Sequence, residues 1–491
     1  MSKEIMEANI NRAQKFIDEN KAAALGSDLR QQYHFMPEEG WMNDPNGLVM
    51  FRGMYHFFYQ YNPYDTVWGE MYWGHAVSKD MIHWQYLPVA LAPSEDYDDF
   101  KGGGCFSGSA IVKDDRLYLI YTGAFDQGRG MEQAQCIAWS DDGVTFEKYD
   151  ENPIVRVPDG YDDVDFRDPC VWEHDGSYYM VCGAAKNDLA QALIFRSADL
   201  LKWEFVNVMA ESHGDLGTMW ECPDFFRMGD RYVLMISPIG MGNRTKLYMI
   251  GDFDYETCVF TFGANSDVDY GMDYYAPKSF LDSKGRRLIV AWSNSWSWMP
   301  WWKDFGPTGK DGWCGSFNLV REVRLNDDDT LSFIPVSEYK ELRRDALEIN
   351  NVVVSEDPYI IRNADGPACE ILVSFDLNET DADRIIFRLR EGSGHHTGFV
   401  IDLKQRRINF SRDNADEYSK GTVSADIKGT SNGEMKVHIF IDRTSVEIFT
   451  DDYRTCLSDN IYPDPNQTMN SIQAENGKAT ISSLESYKLV R

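Results

Sequence analysis

The chain is short of cations. Its 491 residues hold 48 Lys and Arg against 79 Asp and Glu, a formal net charge of −31. Nucleic acids and anionic membrane surfaces are bound through basic patches, so neither partner is expected and a neutral ligand is. The acids fall in short clusters such as Asn326-Asp327-Asp328-Asp329, which read as solvated loops. Cysteine is sparse as well: nine residues, scattered, with no Cys-x-x-Cys pair. That indicates neither a disulfide framework nor a zinc site. The nine histidines show no metal-ligand spacing, His395-His396 being merely adjacent, so no metal and no other cofactor is expected. No run of about 18 apolar residues suggests a membrane span. The first residues carry Lys3 and Glu4 and lack the apolar stretch of a signal peptide. A reducing cytoplasm is the expected location.

What the chain does have is length and aromatic residues. Its length predicts two or three domains. Aromatics make up 14% of the residues, with 14 Trp and 26 Tyr, which suits either a β core or the stacking of sugar rings. Helical spacing is confined to the start, where Met6, Ile10, Ala13 and Ile17 share a face of a helix over residues 3–25.

From residue 41 a repeat begins. Each unit opens on a short polar element at the head of an apolar strand: Asn43-Asp44-Pro45, Phe106-Ser107-Gly108, Arg167-Asp168-Pro169, Glu221-Cys222-Pro223-Asp224 and Tyr274-Tyr275-Ala276-Pro277. Taking Asp44, Ser107, Asp168, Glu221 and Tyr275 as markers, the intervals are 63, 61, 53 and 54 residues. A turn and a second apolar strand follow each opening, as in Asp115-Arg116-Leu117-Tyr118-Leu119-Ile120-Tyr121. Three units add an echo, Ser78-Lys79-Asp80 before Trp84, Ser140-Asp141-Asp142 before Phe146, and Ser197-Ala198-Asp199 before Trp203. Units of this length with about four short strands are propeller blades.

The expected fold is therefore all-β: a short N-terminal helix within an extension over residues 1–29, a five-bladed β-propeller over 30–337, and a helical linker over 338–346. A β-sandwich over 347–491 follows, read from alternating strands such as Val437-His438-Ile439-Phe440-Ile441. The propeller should close near Gly312-Trp313-Cys314-Gly315-Ser316-Phe317.

The innermost strands of a propeller line one channel, so the markers converge on its axis. Three of them are acids: Asp44, Asp168 and Glu221. Gathered acids can ligate a cation through oxygen or cleave a glycosidic bond, which takes one carboxylate and one carboxylic acid. Mutual repulsion should raise at least one of their pKa values and supply a proton donor beside an ionised nucleophile. Trp68, Trp73, Phe106, Trp220 and Trp292 would offer stacking faces. Asn43, Gln60, Ser107 and Arg167 would offer hydrogen bonds to hydroxyls. An isolated Asp-Pro-Asn-Gly is most often an ordinary Asx turn. Here it stands in phase with two other acids.

Trp41-Met42-Asn43-Asp44-Pro45-Asn46-Gly47, Phe166-Arg167-Asp168-Pro169 and Glu221-Cys222-Pro223-Asp224, in that order, resemble the signatures of glycoside hydrolase family 32. So do Phe58-Tyr59-Gln60-Tyr61-Asn62-Pro63, Phe106-Ser107-Gly108-Ser109 and, in the second domain, Ser445-Val446-Glu447-Ile448-Phe449. The resemblance spans residues 30–490. It implies a retaining β-fructofuranosidase in which Asp44 attacks the anomeric carbon and Glu221 is acid and base. Asp168 would bind fructosyl hydroxyls and steady the transition state. It further implies that Asn43, Gln60, Trp68, Phe106, Ser107, Arg167, Tyr275 and Trp292 hold the sugar. Departures are Val320, where relatives often carry Pro, and the Trp-rich run Ser295–Trp302, which could wall the leaving-group side or simply pack.

Sucrose, sucrose 6-phosphate, fructo-oligosaccharides and fructan are all compatible substrates, and fructosyl transfer could replace hydrolysis. The alternatives are a five-bladed arabinan- or xylan-active glycosidase, which commonly inverts, and a non-catalytic sugar-binding propeller. The sandwich has no catalytic motif. Its role as support or as a subunit contact, and thus the choice between monomer and homo-oligomer, is open at this stage.

Overall fold

A computed structural model describes residues 2–99, 102–128, 130–428 and 433–491. The chain forms two compact units. The first contains the N-terminal helix, Met36–Val268 and Tyr275–Asp329. The second contains Gly26–Phe35, Asp269–Tyr274 and Thr330–Arg491. The division differs from the boundaries drawn on sequence: two short segments belong to the second unit although they lie among residues of the first.

The helix runs Ser2–Leu25 and buries Met6, Ala13, Ile17 and Ala24 against the outer strand Trp84–Leu91. Asn9 Nδ2 donates to the Pro93 carbonyl at 2.7 Å, which fixes the helix along its length.

The propeller sheets begin with Gly40–Phe51, Gly104–Lys113, Phe166–His174, Met219–Met228 and Tyr275–Leu281. These five first strands neighbour one another in a closed ring. Each then pairs antiparallel with the strand that follows it. In three blades the two are joined by a two-residue turn with both residues at positive φ: Arg52-Gly53, Asp114-Asp115 and Asp175-Gly176. That geometry matches the twist of the strands it joins. The Ser-x-Asp echo also has a physical basis. In each case the Ser hydroxyl donates to the Asp Oδ1, which in turn accepts the amides two and three residues on. The same Asx turn is thus built three times.

Apolar layers fill the space between consecutive blades. Val181, Ile194, Trp220, Phe225, Leu234 and Phe260 form one between the third and fourth. The ring closes where expected: Trp313–Cys314 pairs in parallel with Gly40 and Trp41, and Trp292 bridges to Phe317.

In the second unit, two six-stranded sheets enclose one core that includes Ile371, Phe387, Phe399, Ile439 and Leu484. The expected linker is shorter than drawn. Ser337–Leu342 is a 3-10 turn, and the strand Arg343–Val354 starts directly after it. His34 is buried in this unit with Nδ1 at 2.8 Å from Asp442 and Nε2 at 3.0 Å from Glu447.

Candidate active site

Each of the five inner strands carries a β-bulge, at Asn43-Asp44, Ser107, Asp168-Pro169, Cys222-Pro223 and Ala276-Pro277. A regular strand sends successive side chains to opposite faces. A bulge breaks that alternation and re-aims a side chain. In the last three blades the residue before the proline has positive φ: 66° at Asp168, 49° at Cys222 and 52° at Ala276. This conformation costs a non-glycine residue about 1–2 kcal/mol.

The bulges correct the sequence register. Asp44, Ser107, Asp168, Cys222 and Ala276 share one position, all buried. Asn43, Phe106, Arg167, Glu221 and Tyr275 share the one before it. Glu221 is therefore not equivalent to the two aspartates. It belongs to an upper ring of side chains, and they belong to a lower one.

The lower ring is tied together. Ser107 Oγ donates to Asp44 Oδ2 at 2.7 Å. The Cys222 amide donates to Asp168 Oδ2 at 2.8 Å, and its Sγ lies 3.5 Å from both Asp44 Oδ2 and Asp168 Oδ2. The amide of Asp168 donates to Thr122 Oγ1 at 2.9 Å. Asp44 Oδ1 is buried and accepts no hydrogen bond among the described residues. Burial pushes the Asp44 carboxyl up to about 6, reinforced by the nearby charge of Asp168 and opposed by Ser107. The acid raised by its surroundings is thus Asp44, mainly through loss of water.

The upper ring engages Glu221 on both sides. Arg167 Nε donates to Oε1 at 3.1 Å, and the Tyr275 hydroxyl donates to Oε2. Arg167 Nη1 also donates to Asp165 Oδ1 at 3.0 Å and to Gln133 Oε1 at 3.3 Å. Burial and the Glu221 charge keep the Tyr275 hydroxyl protonated, far above its usual range. Trp41 Nε1 donates to Asn43 Oδ1 at 2.9 Å and fixes that amide. Gln60 is held by the Cys105 carbonyl at 2.8 Å.

Both rings open on a cavity of about 450 Å³. Asn43, Asp44, Gln60, Trp68, Phe106, Ser107, Arg167, Asp168, Glu221 and Tyr275 all line it. Trp292 does not. It is fully buried, with the Trp296 ring tilted against it at 4.6 Å between centroids and the Trp41 ring at 5.7 Å. It pairs with Tyr275 on the adjacent strand, so it supports the wall from behind. Trp73 and Trp220 are core residues, also fully buried. The Trp-rich run contributes Trp296, Ser297 and Trp301 to the wall, and Trp68 donates its amide to the Trp301 carbonyl at 2.9 Å. Cys222 was missed as a neighbour of two acids. Its place before Pro223, in phase with Asp168 before Pro169, was the available signal.

A pocket the size of a small sugar, walled by tryptophans and lined by three carboxylates at the axis of five blades, defines a glycosidase. Comparison with known proteins identifies which kind. The sequence profile described as the glycosyl hydrolases family 32 N-terminal domain matches residues 34–335, and that described as the family 32 C-terminal domain matches residues 338–488. The chain belongs to glycosyl hydrolase family 32. It is 38% identical to the raffinose invertase of Escherichia coli over 94% of this chain and 96% of that protein. It is 36% identical to a sucrose-6-phosphate hydrolase of Zymomonas mobilis over 95% and 93% of the two chains. Among solved structures, the GH32 β-fructofuranosidase of Bombyx mori superposes with a TM-score of 0.83 at 32% identity over 99% of each chain.

Proposed function

We propose that this chain is a retaining β-fructofuranosidase acting on sucrose and short fructo-oligosaccharides. Asp44 attacks the anomeric carbon of a terminal fructosyl unit. Glu221 protonates the departing oxygen and then draws a proton from water, and the covalent fructosyl-enzyme is hydrolysed. Asp168, tied to the Cys222 amide, binds fructosyl hydroxyls and offsets the positive charge of the transition state. Asn43, Gln60, Ser107 and Arg167 orient the ring, and Trp68, Phe106, Trp296 and Trp301 stack on the sugars. The residues that carry the chemistry all lie in the first unit.

The observation that carries this reading is the unpartnered Oδ1 of Asp44. One oxygen of the carboxylate is anchored by Ser107, and the other is buried without a hydrogen-bond partner among the described residues, on a side chain that lines the sugar-sized cavity. A nucleophile requires that arrangement, whereas a carboxylate that only binds a hydroxyl would need neither burial nor a free oxygen.

The substrate is neutral at its leaving group. Arg167 is the one cation among the described residues lining the cavity, and it is already paired with Glu221 at 3.1 Å and Asp165 at 3.0 Å. A phosphate ester would enter without a free counter-charge. This favours sucrose over sucrose 6-phosphate, although relatives named for each are similarly close. The nine cysteines are all buried free thiols, which supports a reducing cytoplasmic location.

Two measurements test the proposal. Asp44→Ala and Glu221→Ala should each abolish fructose release while circular dichroism stays native. Near-normal turnover by the Asp44 variant would remove it as nucleophile. Proton NMR of the first-formed product should show β-fructofuranose, and an inverted product would favour the arabinan- or xylan-type reading. A release panel across sucrose, sucrose 6-phosphate, kestose and inulin then ranks the substrates.

A further inference from the structure

The inner strands run on past the acids to a second cavity of about 750 Å³, lined by residues 47–50, 108–114, 170–174, 224–227 and 278–281. It lies at the other end of the axial channel, on the later halves of the strands whose earlier halves carry the catalytic pocket. No step of the proposed reaction uses it.

Two cations stand in its wall with little to hold them. Lys278 is only 3% exposed. Its Nζ makes one hydrogen bond, to the Pro223 carbonyl at 2.9 Å, and an ammonium has three donors. Arg287 lies with Cζ 4.8 Å from the ring centroid of Phe226. Its Nη1 reaches Ser279 Oγ at 3.4 Å, and its buried Nε has no partner. Neither is in an ion pair among the described residues. The buried acid on the same wall, Asp224, is already engaged, accepting the Ser279 amide at 3.1 Å with Cys170 Sγ at 3.8 Å.

Buried cations are ordinarily paired and hydrogen-bonded, because taking a charge out of water is costly. Asp224 is the counter-charge that both feel, but it forms an ion pair with neither, and both line one cavity with donors unused. A guanidinium fork and a point-charge ammonium lining one cavity are the kinds of donor that recognise oxyanions. Lys113, its ammonium over the Tyr178 ring at 5.3 Å, and Arg227 also line the cavity, together with the carboxylates Asp114 and Glu173.

We infer that this second cavity binds a small oxyanion, a phosphate group free or as the ester of a small metabolite, on Lys278 and Arg287. Lys278 is two residues beyond Ala276, and the neighbouring Asp224 is two beyond Cys222. The ligand therefore bears on the strands that set the catalytic acids. The inference stands apart from the fructosidase reading.

Calorimetric titration with inorganic phosphate, and separately with glucose 6-phosphate, tests it on the full chain. Saturable binding at one site per chain is expected, weakened at least about tenfold in Arg287→Gln and unchanged in Asp44→Asn. Binding of both probes would mean that the phosphate group suffices, and binding of glucose 6-phosphate alone would identify an ester as the ligand. Either supports the site. No saturable binding of either probe, or binding that Asp44→Asn removes and Arg287→Gln does not, overturns it. Should Arg287→Gln fail to fold, crystals of the unmodified protein soaked in selenate decide the matter. An anomalous peak beside Lys278 and Arg287 supports the site, and its absence refutes it.

Discussion

The hydrogen bond from Ser107 to Asp44 has a consequence that can be read in a pH profile. In the proposed reaction Asp44 must be ionised to attack, and burial pushes its carboxyl up to about 6. Activity should therefore fall as pH drops through about 6. Ser107 donates to Oδ2 at 2.7 Å and stabilises the charged form only. A hydrogen bond to a charged group is worth about 1.5–3 kcal/mol, and about 1.36 kcal/mol corresponds to one pH unit. Cys222 Sγ also lies against Oδ2 and takes up part of the loss, so the lower end of that range applies. In Ser107→Ala the acid limb should therefore move up by about one pH unit. The assay is kcat/KM for sucrose against pH, which reports the free enzyme. Ser107 also touches the sugar in the proposed reaction, so the plateau should fall as well. The position of the limb is independent of that fall. A limb that stays where it was, or moves to lower pH, would refute the account of how Asp44 is held.

Four further outcomes follow from the same geometry. Asp44→Asn should abolish activity and stabilise the fold at neutral pH by up to about 3 kcal/mol, since it removes a charge whose burial lifts the carboxyl from 3.8 to about 6; denaturant melts at pH 7.5 check this. Tyr275→Phe removes a donor to Glu221 and should lower kcat by about 10–100-fold with KM little changed, measured on sucrose. Gly183→Ala should cut activity and lower the melting temperature together: its Cβ would sit 1.9 Å from the Trp220 carbonyl, forcing apart the backbones of two packed strands next to Glu221, and steady-state kinetics with a thermal melt is the readout. In the second unit, burial works against the charge on His34, but its bonds to Asp442 and Glu447 outweigh this and hold it up to about 9. That stability is fully present below the usual 6.5 and is lost as pH rises through about 9, about 3 kcal/mol in all. His34→Gln should flatten the dependence in denaturation at pH 7 and pH 10.

The repeat was legible because it is local. Turn residues, an apolar run and a polar head recur in each blade, and every one of these signals lies within a few residues of the next. The three acids were legible for the same reason. The register was not. Taking Glu221 as the marker of its unit placed it with Asp44 and Asp168, whereas the bulge before Asp224 and the proline after Cys222 place Cys222 there. Trp292 failed for a different reason. Its distance from Tyr275 in sequence says nothing of which face of its strand meets the cavity, and Trp296 covers it. Gly26–Phe35 and Asp269–Tyr274 could not have been assigned to the second unit from sequence either. Their partners, such as Asp442 for His34 and Arg412 for Asp273, lie far along the chain.

The bulge explains why two consecutive residues per blade can serve one site. A flat inner strand would give each blade one side chain facing the axis near the mouth, five in all. Displacing the alternation by one residue gives two, at different depths. The deep position holds Asp44 and Asp168 out of water, where a free carboxylate oxygen is most reactive and most costly. The shallow position holds Glu221 between Arg167 and Tyr275 with its side chain 20% exposed, where the proposed reaction needs it to reach both a departing sugar and an incoming water. The strain at Asp168, Cys222 and Ala276 is then the structural cost of separating, by depth within one repeated element, the residues proposed as nucleophile and as acid. Replacing any of the following prolines should cost activity before stability, because the bulge sets where the carboxylates point and the blade cores do not depend on it.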